Sequence, residues 1–176
     1  MLIGIHGRAG VGKDTVADML WEEKGFVKLA FADPLKRATQ IIFGLSDAQT
    51  WGRFAKEQII PEWGLSPRQM FQQLGSAVRD LTEEGHWIKR LEQDYTLLDE
   101  THVAISDVRY ENEAAWVRAK GGVVLHLARD GVEPVAAHHS EDGIKARPED
   151  YLIINDGSLE ELRQRVLKFL EHMNGR

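Results

Sequence analysis

The chain has 176 residues, a formal net charge of −6, 43% hydrophobic and 28% charged residues, and no cysteine. That length fits a single domain able to bury a sizeable core. The missing cysteine excludes disulfides and thiolate metal sites and fits a reducing cytoplasm, and the acidic balance argues against a general nucleic-acid-binding surface. A free nucleotide, by contrast, requires only a local basic cleft. No signal peptide is visible at the N-terminus and no apolar run approaches membrane-spanning length, so no membrane partner is expected.

The first predicted element is a buried strand over Leu2 to Ile5, followed by Gly7, Gly10 and Gly12 crowded into one turn, and then a helix from Thr15 to about Glu23, ending near Gly25. Strand, glycine loop and helix is the context in which a glycine pattern binds phosphate. Gly7, Gly12 and Lys13 meet the spacing G-x-x-x-x-G-K. Glycines let backbone N–H groups curl around an anion, the helix N-terminus adds partial positive charge, and Lys13 reaches the β- and γ-phosphates. The pattern departs at the next position, where Asp14 replaces the usual hydroxyl residue and Thr15 follows. Asp14 can offer a hard oxygen to a metal, directly or through water, and Thr15 can reach an α-phosphate from the first helical turn.

A second strand is predicted over Val27 to Phe31, then a helix over Leu35 to Phe43 with Pro34 at its start and Gly44 as its stop. From Ser46 to Asp99 no strand-like run occurs, and the stretch reads as a helical insertion, with Ser66-Pro67 opening a helix to about Leu81. A third strand, Val103 to Ser106, ends in Asp107, and a helix from Glu111 to Lys120 closes at Gly121-Gly122. Val123 to Leu127 is the fourth strand, ending at Arg129. Residues 129–149 read as a polar loop, Leu152 to Ile154 as the fifth strand, and Ser158 to Glu161 as a capping box for a last helix to about His172. Alternating strands and helices predict an α/β fold with a parallel sheet covered on both faces. Ligands of such sheets sit at the carboxyl ends of the strands, where Gly7 to Lys13, Asp33, Asp107, Arg109, Arg129 and Asn155 fall.

Two of these positions carry chemistry of their own. Asp107 caps an apolar strand, as does the acid that holds magnesium or its waters beside a phosphate loop, although a simple turn cap is an equal reading. Arg109 and Arg129 each follow a strand end, and a guanidinium binds phosphate oxygens through paired hydrogen bonds. Glu111-Asn112-Glu113 either orients Arg109 or merely begins the helix. Lys36, Arg37, Arg68 and Arg79 are by base rate solvated helix charges. His138-His139-Ser140-Glu141 reads as a polar loop closing over substrate or as ordinary surface, since adjacent histidines rarely share one ion.

Several stretches occur together in order: Gly12-Lys-Asp-Thr15, Phe31-Ala-Asp-Pro-Leu-Lys36, Ser66-Pro-Arg-Gln-Met-Phe-Gln-Gln-Leu-Gly75, Asp107-Val-Arg-Tyr-Glu-Asn-Glu113 and His139-Ser-Glu141. This set resembles the bacteriophage-type deoxynucleoside monophosphate kinases, P-loop enzymes of the nucleoside monophosphate kinase type. The resemblance implies ATP-dependent, magnesium-assisted conversion of a deoxynucleoside monophosphate to the diphosphate. It implies one kinase domain over residues 1–176 with a five-stranded parallel core, a helical monophosphate-binding region at about 33–99 and a lid at about 129–147. It implies that Arg8, Gly10, Gly12, Lys13, Asp14, Thr15 and Asn155 hold ATP, with Lys13 bridging donor and acceptor phosphates. Asp14 and Asp107 would serve the metal. Asp33, Lys36, Arg37 and Arg68 would face the acceptor, and Arg129 would be the lid-side cation. A homodimer is the assembly it suggests.

Two other classes compete. One is a kinase of the same fold acting on another small phosphorylated metabolite. The other is a nucleotide-dependent switch or assembly ATPase. A GTPase switch would carry Gly where Tyr110 stands and an Asn-Lys-x-Asp motif, and Asn155-Asp156-Gly157 lacks the lysine.

Overall fold

Short runs rich in Val, Ile and Leu become strands, and those at the centre of the sheet are largely buried on both faces. A computed structural model describes residues 1–52, 54–98, 101–129 and 143–175. In chain order the elements are β1 (Leu2–His6), α1 (Lys13–Lys24), β2 (Val27–Leu29), α2 (Asp33–Phe43), α3 (Asp47–Trp51), a 3₁₀ turn (Ala55–Glu57), α4 (Pro67–Leu81), α5 (His86–Thr96), β3 (Val103–Val108), α6 (Glu111–Ala119), β4 (Val123–Ala128), β5 (Tyr151–Ile154) and α7 (Leu159–Asn174). They divide into two compact units, residues 1–30 with 98–176, and residues 31–97.

The first unit holds the expected five-stranded sheet, in the order β2-β3-β1-β4-β5 with every neighbouring pair parallel. β1 lies at the centre, so the loop that leaves it emerges between the ends of β3 and β4. Side chains alternate across the sheet with period two. Ile3, Ile5, Ala104, Val123, Leu125, Leu127 and Ile153 enter one core with Val16, Leu20, Leu162, Val166 and Phe169 of α1 and α7. Each such side chain removed from water contributes on the order of 1.5–3 kcal/mol. On the opposite face a Cβ on Gly4 would lie 2.9 Å from Val108 Cγ2 of β3 and 3.0 Å from Val117 Cγ2 of α6, which packs close over it.

In the second unit α4 packs on α2 and α5. A Cβ on Gly75 would lie 2.9 Å from Leu35 Cδ2, and the Trp87 indole N–H donates to the Gly75 carbonyl at 3.3 Å. Capping boxes open α3 and α4, from Ser46 with Gln49 and from Ser66 with Gln69.

Five strand ends differ from the sequence reading. β1 runs one residue further, to His6, and β5 begins one residue earlier, at Tyr151. β2 stops at Leu29, and Phe31 is buried without being in a strand. β3 runs past Asp107 to Val108, because Gly4 to His6 on β1 is matched by Ile105 to Val108 on β3, one residue longer. That extra residue is a bulge. β4 continues to Ala128. Of the expected lid, residues 130–142 lie outside the described residues, and with them the motif from His138 to Glu141. Among the described residues no helix is long and apolar enough to cross a membrane.

Candidate functional site

The loop after β1 is shaped by two glycines that admit no side chain. Gly7 has φ 155°, and a Cβ there would lie 2.4 Å from the Leu127 carbonyl oxygen. Gly12, at the N-cap of α1 with φ 104°, would place a Cβ 2.8 Å from Asn155 Nδ2. Gly10, between them, faces open space. Val11 is buried and pins the loop to the core. No side chain caps α1, so its first turn meets the loop with backbone donors. Lys13 folds back over the loop, its ammonium donating to the carbonyls of Gly7 at 2.6 Å and Arg8 at 2.8 Å. Asp14 is exposed and Thr15 half-buried in the same turn.

Asn155 braces this loop from behind. It follows β5 and is 8% exposed; its amide nitrogen Nδ2 donates to Val11 O at 2.8 Å and its backbone N–H to Ala128 O at 2.7 Å. The family resemblance sets this residue at the ATP site; its side-chain donor holds the turn of the loop.

The rim beside β1 is built by β3 and α6. The bulge sits at Ser106 and Asp107, both half-buried, and bulges re-aim the side chains next to them. Val108 then pairs with His6, whose Nδ1–H donates to the Val108 carbonyl at 2.9 Å. Arg109 comes next, so the register of the sheet sets it beside the start of the glycine loop. Arg129 leaves the end of β4, exposed.

A cavity of about 560 Å³ opens beside the loop, lined among others by His6, Arg8, His126, Arg129, Arg147 and Asp150. Under it lies a buried charge hub. Asp150, its side chain 2% exposed, accepts from Arg118 Nε at 3.1 Å and Nη2 at 2.7 Å, from the Arg147 backbone N–H at 2.9 Å and from His126 Nε2 at 3.0 Å. Burial pushes the Asp150 carboxyl up, but the hydrogen bonds from Arg118, Arg147 and His126 outweigh it and leave the group at about 2. Glu111 joins Arg118 at 3.2 Å and Arg147 at 2.9 Å. His6 accepts from the Ile144 N–H at 3.3 Å through Nε2, which with its donation to Val108 requires the neutral Nδ1–H tautomer. His6 and His126 meet edge to face at 5.3 Å. Sequence reasoning did not single out His6, His126, Arg118, Arg147 or Asp150; the one local signal was a histidine directly before the first loop glycine.

In the second unit, Asp33 and Lys36 share the first turns of α2 at 3.5 Å, and Lys36 lies 5.1 Å from the Trp51 ring centre. Arg37 is exposed. Arg68 Nε donates to both Glu57 oxygens, at 2.7 and 2.9 Å.

Thus the fold brings Gly10, Gly12, Lys13, Asp14, Thr15 and Asn155 into one loop and its brace, sets Asp107 and Arg109 on the adjoining strand end, and lines one cavity with Arg8 and Arg129. Asp33, Lys36, Arg37 and Arg68 belong to the other unit. Among the described residues no cluster of three or more His, Asp or Glu would hold a metal unaided. Magnesium shared between one or two carboxylates, phosphate oxygens and water needs none; Asp14 in the first turn of α1 and Asp107 at the end of β3 are carboxylates of that kind.

Comparison with known proteins adds to this geometry. A family model described as deoxynucleotide monophosphate kinase matches residues 52–166. A protein of Acanthamoeba polyphaga mimivirus, provisionally named a deoxynucleotide monophosphate kinase, is 31% identical over 188 aligned positions covering 98% of this chain and 97% of the relative. The deoxynucleotide monophosphate kinase of Escherichia phage RB69 is 34% identical over 122 positions, covering 67% of this chain and 49% of its own length. Among solved structures, dephospho-CoA kinase from Campylobacter jejuni superposes with a TM-score of 0.51 at 13% identity, covering 98% of this chain and 95% of that one. Shikimate kinase from Aquifex aeolicus does so with 0.50 at 14%, covering 99% and 98%. At those identities the likeness concerns the fold alone.

Proposed function

The chain belongs to the deoxynucleotide monophosphate kinase family, and from that premise we propose that it moves the terminal phosphoryl group of ATP onto a deoxynucleoside monophosphate, releasing the diphosphate and ADP. The observation that carries the reading is the loop from Gly7 to Lys13: its two side-chain-excluding glycines and folded lysine make an anion cradle at the carboxyl edge of a parallel sheet.

Phosphoryl transfer demands little covalent work from a protein; it demands alignment and positive charge where the transition state spreads negative charge. Gly10 and Gly12 present backbone donors to the donor phosphates, and Thr15 adds a hydroxyl from the first turn of α1. Lys13 supplies a cation directly over the loop. Arg109, set by β3 beside the same loop, stabilises charge on the transferring oxygens, and Arg8 and Arg129 contribute from the wall of the cavity they share. Asn155 acts on the donor through the loop it braces. Asp33, Lys36, Arg37 and Arg68 of the second unit recognise the acceptor. The acceptor phosphate is already ionised near neutral pH, so no side chain has to remove a proton from it. When bound, magnesium offsets charge on the donor phosphates, and Asp14 and Asp107 are the carboxylates that would hold it, directly or through water. Such chemistry suits the cytoplasm, where ATP is abundant.

A coupled ADP-release assay over the common ribo- and deoxynucleoside monophosphates tests the proposal. ADP release that depends on a deoxynucleoside monophosphate, and falls by orders of magnitude in Lys13→Ala, is expected. Acceptor-independent ADP release, or none with any monophosphate, would refute it.

A further inference from the structure

Glu113 is 4% exposed, yet no part of the proposed chemistry uses it. A carboxylate held out of water is costly unless its oxygens receive hydrogen bonds. Here one oxygen, Oε2, accepts from two consecutive backbone amides, the N–H of Arg109 at 2.8 Å and that of Tyr110 at 3.1 Å. The Glu113 amide in turn donates to Asn112 Oδ1 at 2.9 Å.

Other helices of this chain show what ordinary capping looks like. At α3, α4 and α7 the third helical residue reaches back to the backbone N–H of a serine N-cap: Gln49 to Ser46 at 2.8 Å, Gln69 to Ser66 at 2.8 Å and Glu161 to Ser158 at 2.7 Å. Glu113 occupies the same position in α6, with Tyr110 as N-cap, but its oxygen also takes the amide one residue further back, and that residue is Arg109. The need for this second bond follows from the sheet. The bulge at Ser106 and Asp107 interrupts the ladder between β1 and β3 just before Arg109. On the β1 side the chain is held by the His6–Val108 pairing, immediately before Gly7. On the α6 side it is held by Glu113.

We infer that Glu113 is a positioning residue that fixes the backbone of Arg109, so that the guanidinium meets the phosphates of the glycine loop at a set place. The inference rests on the reading of Arg109 as a phosphate cation. A base or metal ligand would need the negative charge of Glu113; a positioning residue needs only an acceptor oxygen at the Oε2 place. Glutamine provides that oxygen and alanine does not.

The test is a double-mutant cycle on the full chain, reading kcat and KM for ATP and for the deoxynucleoside monophosphate, with the thermal midpoint measured for each variant. Glu113→Ala lowers kcat about tenfold to a hundredfold, the range expected when a catalytic group moves by about 1 Å. Glu113→Gln recovers most of that loss. In an Arg109→Ala background Glu113→Ala adds less than about a twofold further loss, since residues acting as one unit are not additive. If Glu113→Ala does not fold, Glu113→Asp replaces it: the shorter side chain keeps the charge, withdraws the oxygen from both amides, and shows the same loss. An undiminished effect of Glu113→Ala in the Arg109→Ala background, or equal damage from Gln and Ala, overturns the inference while leaving the role of Arg109 intact. Unchanged kcat in a folded Glu113→Ala or Glu113→Asp protein overturns it as well. Full activity of Arg109→Ala removes the reading of that arginine, and the inference with it.

Discussion

Replacing Asp150 with alanine tests how much of the site's frame depends on one buried carboxylate. The group is 2% exposed and receives bonds from Arg118, the Arg147 backbone and His126. Removing it leaves the Arg118 guanidinium, 8% exposed, with the more exposed Glu111 at 3.2 Å and the Lys145 carbonyl at 3.5 Å. Breaking a buried pair from one side costs about 3–5 kcal/mol, against about 0–1 kcal/mol for an exposed pair. Urea unfolding at neutral pH, followed by circular dichroism, should therefore show Asp150→Ala less stable than the parent by several kcal/mol. The carboxyl lies at about 2 in the folded protein against an ordinary 3.8, a displacement worth about 2 kcal/mol. Because the folded value is the lower one, this contribution is complete above 3.8 and is lost as the pH falls toward 2. The stability gap between parent and variant should narrow over that acid window. A gap below about 1 kcal/mol at neutral pH, or one that does not narrow on acidification, would refute the hub as a stabilising element.

Gly7→Ala places a methyl carbon 2.4 Å from a backbone carbonyl that cannot rotate away, so it should destabilise by at least about 1–3 kcal/mol in urea melts and abolish nucleotide protection against unfolding. Asn155→Ala leaves the Val11 carbonyl without its 2.8 Å donor and should raise KM for ATP more than KM for the acceptor, as steady-state kinetics would reveal. Ser158→Ala removes the cap of α7 and should lower stability by about 1 kcal/mol while leaving kcat unchanged.

What could be read from the sequence was local. Strand, glycine loop and helix are contiguous over Leu2 to Lys24, and the serine caps at Ser66 and Ser158 sit beside the helices they open. Features that depend on sheet order were hidden. His6 meets Val108 because β1 pairs with β3, it meets Ile144 from 138 residues further along, and Asp150 meets Arg118 across 32 residues of chain. The extra residue in β3 leaves no trace in the hydrophobic alternation, so a strand expected to end in Asp107 runs on to Val108. Phe31 misled for another reason: burial there comes without strand pairing. Asn155 was found by position, but its work as a brace appears only once Gly12 and Val11 are seen packed against it.

The most direct measurement is transfer itself. Purified protein is mixed with ATP labelled in its γ-phosphate and with each deoxynucleoside monophosphate, and the products are separated. The account predicts label in a deoxynucleoside diphosphate, in amounts equal to the ADP formed and absent with Lys13→Ala. Label recovered only as inorganic phosphate, or transfer that persists without the lysine, would contradict it.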